Sequence, residues 1–151
     1  MFQRRFLTNI IYPNITITSN AWNKLDDIIK KGDITNNRSK LVKGFLFSAK
    51  SGGCNGFNYN LNSFNKRDYK TYFNKYSKNV PVTVISNNNI NVMVEPFSEP
   101  FLLGTTIDYI TADYTNNNYE SKFVFTPNSA LATSCGCGKS FTVKIKVVLI
   151  I

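Results

Sequence analysis

Apolar residues fall at helical spacing once in this chain and at strand spacing nearly everywhere else. After Thr18-Ser19-Asn20, whose side chains can cap a first turn, Trp22, Leu25, Ile28 and Ile29 recur three to four positions apart, and Lys30, Lys31 and Gly32 close the run. That spacing predicts one amphipathic helix. Short β-like runs follow at Leu41 to Phe47, Phe57 to Leu61, Val80 to Ile85, Val92 to Val94, Ile107 to Ile110, Phe123 to Phe125 and Phe141 to Val148. In the last, Phe141, Val143, Ile145 and Val147 alternate with Thr142, Lys144 and Lys146, as in a strand with one face in water. Pro96 and Pro100 bracket a segment ending in Leu102-Leu103-Gly104, and a helical turn or loop is expected there because proline removes ladder donors. Loops are expected at Asn65 to Asn79, Ser86 to Asn89 and Thr115 to Ser121, with no repeat at a fixed period. Strands dominate, so the expected class is mainly β (a β-rich α+β domain) with one N-terminal helix.

Composition narrows the class further. A chain of 151 residues with 42% hydrophobic content suits one domain with a real core. Asparagine runs at 87–89 and 116–118 reflect an A/T-rich coding sequence more than function. The net charge of +9 raises the question of nucleic acid or an acidic partner. Its densest cluster, Lys66, Arg67, Lys70, Lys75 and Lys78, is interrupted by Asp68 and four aromatics. A solvated loop is therefore preferred to a nucleic-acid site. The C-terminal Val147-Val-Leu-Ile-Ile151 is far short of the ~20 apolar residues of a membrane span, so no membrane partner is expected. The first acid is Asp26, after Arg4, Arg5 and Lys24. Such acid-poor, Arg-bearing starts resemble organellar transit peptides. Residues 1–14 are accordingly read as a targeting remnant or flexible terminus ahead of a domain over 15–151, with the mitochondrial matrix expected and a plastid as the alternative.

The chemistry rests on three cysteines: Cys54 in Ser51-Gly-Gly-Cys-Asn-Gly-Phe57, and Cys135 with Cys137 in Ser134-Cys-Gly-Cys-Gly-Lys-Ser-Phe141. Soft thiolates select iron–sulfur clusters, Zn(II) or Cu(I) over Mg or Ca. The complete absence of histidine excludes catalytic triads, His-based acid–base work and Cys/His zinc fingers. An odd cysteine count argues against a secreted disulfide framework, and one intervening residue makes Cys135–Cys137 a poor bridge. A reducing compartment fits better. Glycine accepts φ > 0 and lets backbone approach a metal centre closely, so amide N–H groups can face thiolate or sulfide and tune a cluster. Buried free cysteines are the bland alternative. They have no need of the neighbouring glycines.

Gly44-Phe-Leu-Phe47, Ser51-Gly-Gly-Cys-Asn-Gly-Phe-Asn-Tyr59, Leu102-Leu-Gly-Thr105, Ile107-Asp-Tyr-Ile110, Phe123-Val-Phe125 and Cys135-Gly-Cys-Gly-Lys-Ser-Phe141 together resemble the A-type iron–sulfur carriers, the HesB/IscA-like family, over roughly residues 15 to 145. The resemblance implies a compact, mainly β domain of short strands in small packed sheets. It also implies a [2Fe–2S] or [4Fe–4S] cluster held by Cys54, Cys135 and Cys137, and delivery to apo iron–sulfur proteins alongside other assembly factors. No catalytic residue and no turnover of its own are implied. Three thiolates fall short of the usual four, so a homodimer or a heterodimer with a paralogue is expected. Tyr59 stands where some members carry a tyrosine proposed to bind iron; alternation of Phe57, Tyr59 and Leu61 on one strand face favours packing instead.

Some positions depart from the family pattern. Thr126 precedes Pro127 in place of Asn-Pro, Lys139 replaces an often acidic residue, the 65–79 segment is basic where relatives tend to be acidic, and 115–119 looks inserted. None touches a cysteine. The competing readings are an iron- or zinc-binding donor using the same thiolates, and a thiol-based redox protein, against which stands the lack of a C-x-x-C motif. A nucleic-acid module ranks last because it rests on charge alone.

Overall fold

The computed structural model describes residues 14–34, 42–52, 56–76, 80–136 and 138–144. Among the described residues a three-stranded sheet, a larger six-stranded sheet and one long helix enclose the main core. The first sheet orders β1 (Thr16–Ile17), β6 (Thr106–Ile110) and β7 (Lys122–Thr126); β1 is parallel to β6 and β7 antiparallel to it. The second runs β4 (Val84–Asn87), β5 (Ile90–Val94), β2 (Val42–Ser51), β3 (Phe57–Asn65), β9 (Ser140–Val143) and β8 (Ala132–Ser134). Its pairs are antiparallel except β2 with β5. The β-rich α+β class expected from the sequence is the class observed.

Helix α1 (Ser19–Ile34) begins where Thr18 caps it: the Ala21 amide donates to Thr18 Oγ1 at 3.2 Å and the Trp22 amide to the Thr18 carbonyl at 2.9 Å. Such a cap satisfies donors that the first turn leaves orphaned. The helix continues past Gly32, where the sequence suggested a stop. A Cβ at Gly32 would lie 3.4 Å from Val42 Cγ2, so this glycine sits against β2. Ala21 and Leu25 are buried, while Lys30 pairs with Asp26 on the wet side.

The unbroken run Phe45-Leu46-Phe47 is explained by β2 being covered on both faces. Phe45 and Phe47 join Val92, Val94, Leu102, Ile107, Ala132 and Phe141 in the main core. Leu46 turns the other way, into a second cluster with Phe64 and Met93. That cluster is roofed by Tyr69 and Tyr72, which belong to α2 (Lys66–Tyr76). The expected solvated loop over 65–79 is thus a helix along most of its length. Asn65 starts it, accepting from the Arg67 and Asp68 amides at 2.8 and 3.0 Å, and Tyr69, Tyr72 and Tyr76 set its buried side.

Smaller differences have local causes. β4 begins at Val84 rather than Val80, and β3 extends to Asn65 because it follows β2 in register from Ser51↔Phe57 to Gly44↔Phe64 and, past an irregularity there, to Val42↔Asn65. The segment around Pro100 forms a single turn, α3 (Glu99–Leu102), as expected. Residues 114–116 make a 3-10 turn capped by Asp113, whose carboxylate accepts from the Thr115 amide and hydroxyl and from Asn116 Nδ2. Residues 1–13 of the expected targeting stretch 1–14 and the strand continuation 145–148 lie outside the described residues. Among the described residues no helix is long and apolar enough to cross a membrane.

Candidate functional site

The cysteine-bearing loops are set by neighbouring rows of the large sheet. Ser51 pairs with Phe57, Phe57 with Phe141, and Phe141 with Ser134, so one row crosses β2, β3, β9 and β8. The Gly52–Gly56 connection leaves from this row. The Cys135–Lys139 connection leaves from the next, where Asn58 pairs with Ser140 and the Cys135 amide donates to the Ser140 carbonyl at 2.8 Å. The two loops therefore start one row apart at the head of β3, about 3.4 Å along the strand.

Local backbone geometry explains the glycines. In the first loop the Gly52 amide donates to the Gly56 carbonyl at 2.9 Å, with φ of +143° and +112° at the two residues. In the second, the Gly138 amide donates to the Cys135 carbonyl at 2.9 Å and Gly138 has φ +70°. These conformations favour residues without Cβ. The Tyr59 amide donates to the Lys139 carbonyl at 3.2 Å, pinning the second loop to β3.

Of the three cysteines singled out in the sequence, Cys135 is described and half-buried, while Cys54 and Cys137 lie outside the described residues. Among the described residues no three Cys, Asp or Glu side chains converge as a metal site. The strand register still brings the segments flanking all three cysteines to the head of β3.

Tyr59 lies beneath the second loop. Its ring stacks on Phe141 at 4.2 Å, on Phe125 at 5.0 Å and on Phe47 at 6.2 Å between centroids. The hydroxyl is buried without a hydrogen bond. Burial pushes its pKa up to about 12, against an opposing pull from the Thr105 side chain. Packing is therefore what the geometry displays for Tyr59. Beside it opens a groove of about 510 Å³ walled by Tyr59, Phe123, Phe125 and Gly138, with Lys122 and Lys139 among its lining residues. Sequence reading singled out Lys139 but not Lys122, whose place here depends on the separate small sheet.

Comparison with known proteins agrees with this architecture. Residues 13–139 match the family model described as iron-sulphur cluster biosynthesis. A mitochondrial iron-sulfur cluster assembly 1 homologue of Dictyostelium discoideum is 30% identical over 129 residues, covering 85% of this chain and 78% of that protein. Among solved structures, Escherichia coli SufA superposes with a TM-score of 0.58 at 22% identity, covering 90% of this chain and 98% of that one. IscA with its [2Fe-2S] cluster gives 0.57 at 17% identity, covering 87% and 99%. With its sheets, glycine-bound cysteine loops and a match over most of its length, the chain belongs to the iron-sulphur cluster biosynthesis family, the HesB/IscA group of A-type carriers.

Proposed function

We propose that this protein is a cluster carrier without turnover of its own. Cys54, Cys135 and Cys137 hold a [2Fe–2S] or [4Fe–4S] cluster as cargo and pass it to apo-proteins. The observation that supports this reading is that the described segments flanking the three cysteines meet at the head of β3, one row apart. Family membership supports it, as does the [2Fe-2S] cluster of the IscA neighbour. Three thiolates per chain leave a four-ligand cluster incomplete, so the holo form takes its remaining ligand from a second chain, identical or a paralogue. Such a shared site exchanges ligands more readily than a closed four-cysteine one. Lys139, exposed in the second loop, offsets part of the negative charge that thiolate and sulfide bring.

Anaerobic reconstitution with iron and sulfide tests the reading. The wild-type chain is expected to gain cluster absorption, and each single Cys→Ser change to cut bound iron and acid-labile sulfide sharply. A triple Cys→Ser variant that loads like wild type overturns it. Transfer is tested by activating an apo-ferredoxin or apo-aconitase with a chelator present to trap free iron. Activation that survives the chelator supports carriage. Activation abolished by it replaces the carrier with an iron donor. Residence in the mitochondrial matrix, or otherwise a plastid, is proposed from the acid-free, Arg-bearing start and the name of the mitochondrial relative. A reporter fused to residues 1–20 is expected in the organelle; a diffuse signal from both the fusion and the full-length chain defeats the proposal.

A further inference from the structure

Helix α2 carries features that its packing role does not use. Tyr69, Tyr72 and Tyr76 face the second core cluster and its surroundings, while Lys66, Arg67, Lys70 and Lys75 point to solvent with Asp68 as the one acid among them. Phe73 stacks on Tyr69 at 5.7 Å between centroids and is 39% exposed on the side of Lys66 and Lys70, Lys75 lying on the other flank with Asp68, and Phe97 is 67% exposed, edge-on to Tyr76 at 5.8 Å between centroids. Lys75 Nζ stands 5.1 Å above the Tyr76 ring. The helix is held rigid at its start by the Asn65 cap, so this surface is organised before any partner arrives, which lowers the entropic cost of binding.

We propose that this face of α2 is a docking surface for an acidic protein, resting on the carrier reading for the identification of that protein with a cluster recipient. Charge complementarity selects the occupant: separated carboxylates on the partner meet Lys66, Arg67 and Lys70, and an apolar side chain covers Phe73. Complementary charge speeds encounter and rejects wrong partners, and an aromatic anchor ringed by polar groups is a common energetic centre of an interface. A nucleic acid fits less well. Over α2, a span of about 15 Å, the chain also presents Asp68 at the first turn. At the other end Glu95 accepts from Tyr76 Oη at 3.4 Å and also from Ser98, and these carboxylates repel a continuous phosphate backbone.

The test measures binding of the full apo chain to a small acidic apo-ferredoxin at low and at physiological salt. Lys66→Glu/Arg67→Glu/Lys70→Glu is expected to weaken binding about tenfold or more and to flatten its salt dependence. Phe73→Ala is expected to weaken it with the salt dependence unchanged. Lys31→Glu/Lys43→Glu/Lys50→Glu, equal in charge but elsewhere on exposed surface, is expected to have a much smaller effect. Equal loss in both triple variants overturns the proposal in favour of net charge alone. Tighter, α2-dependent binding to a single-stranded oligonucleotide or an anionic vesicle also overturns it. Cluster reconstitution, read separately by iron and sulfide content, is expected to be unchanged in all variants. Reconstitution without ferredoxin binding defeats docking and leaves the carrier; binding without reconstitution defeats the carrier and leaves docking.

Discussion

At Tyr59 the packing and iron-ligand readings forecast opposite results. A buried hydroxyl with no hydrogen bond costs stability, so Tyr59→Phe is expected to leave the protein as stable or more stable by about 1 kcal/mol, with wild-type iron content after reconstitution. Loss of iron and sulfide from a folded Tyr59→Phe protein returns the residue to the ligand set. The pH dependence follows from the raised value of about 12. Below the ordinary phenol range, about pH 10, the residue is neutral in both folded and unfolded chains and stability is intact. Between there and about pH 12 the unfolded chain releases a proton that the folded chain retains, so stability falls as pH rises. Alkaline denaturation should accordingly show a shallower decline for Tyr59→Phe than for wild type. The packing of this ring was legible from the Phe57, Tyr59, Leu61 alternation. Its orphaned hydroxyl was not, because that depends on Phe125 and Phe141 closing over it from elsewhere in the chain.

Among elements, β2 is the most constrained. A Cβ at Gly44 would lie 2.7 Å from the Asn91 carbonyl oxygen and 2.9 Å from Phe64 Cζ. Gly44→Ala must therefore push β2 away from β5 or displace Phe64, and a loss of about 1–3 kcal/mol in chemical denaturation is expected. The β4–β5 hairpin offers the reverse case. Asn88 and Asn89 both hold positive φ, 45° and 67°, as a two-residue hairpin turn of the primed type requires. Asn89→Gly is expected to raise the melting temperature slightly, and a fall in melting temperature contradicts that turn assignment. Legibility also varied by element. α1 announced itself through Trp22, Leu25, Ile28 and Ile29. α2 was hidden because its aromatic spacing at Tyr69, Tyr72 and Tyr76 sits among cations that read as a wet loop. β1 and β8 are too short to leave a pattern: Ala132-Thr133-Ser134 is a strand because β9 lies beside it.

For the whole molecule, the carrier reading predicts that anaerobic holo-protein is a dimer or larger by light scattering; a monomeric cluster-bearing species with no added thiol contradicts this. The motifs made the family legible. They did not make legible the geometry of the site, because Cys135 follows Cys54 by 81 positions and only strand order relates their loops. That strand order has a kinetic consequence. β2 and β3 are joined by a short connection and pair over most of their length, whereas Phe57 meets Phe141 84 positions later. Closing the longer loop costs more chain entropy, and non-local pairings slow folding. The β2–β3 hairpin is thus expected to form early, with β9 docking late; on the carrier reading, a chain still folding keeps its cysteine-bearing segments apart and captures metal only once β9 is seated.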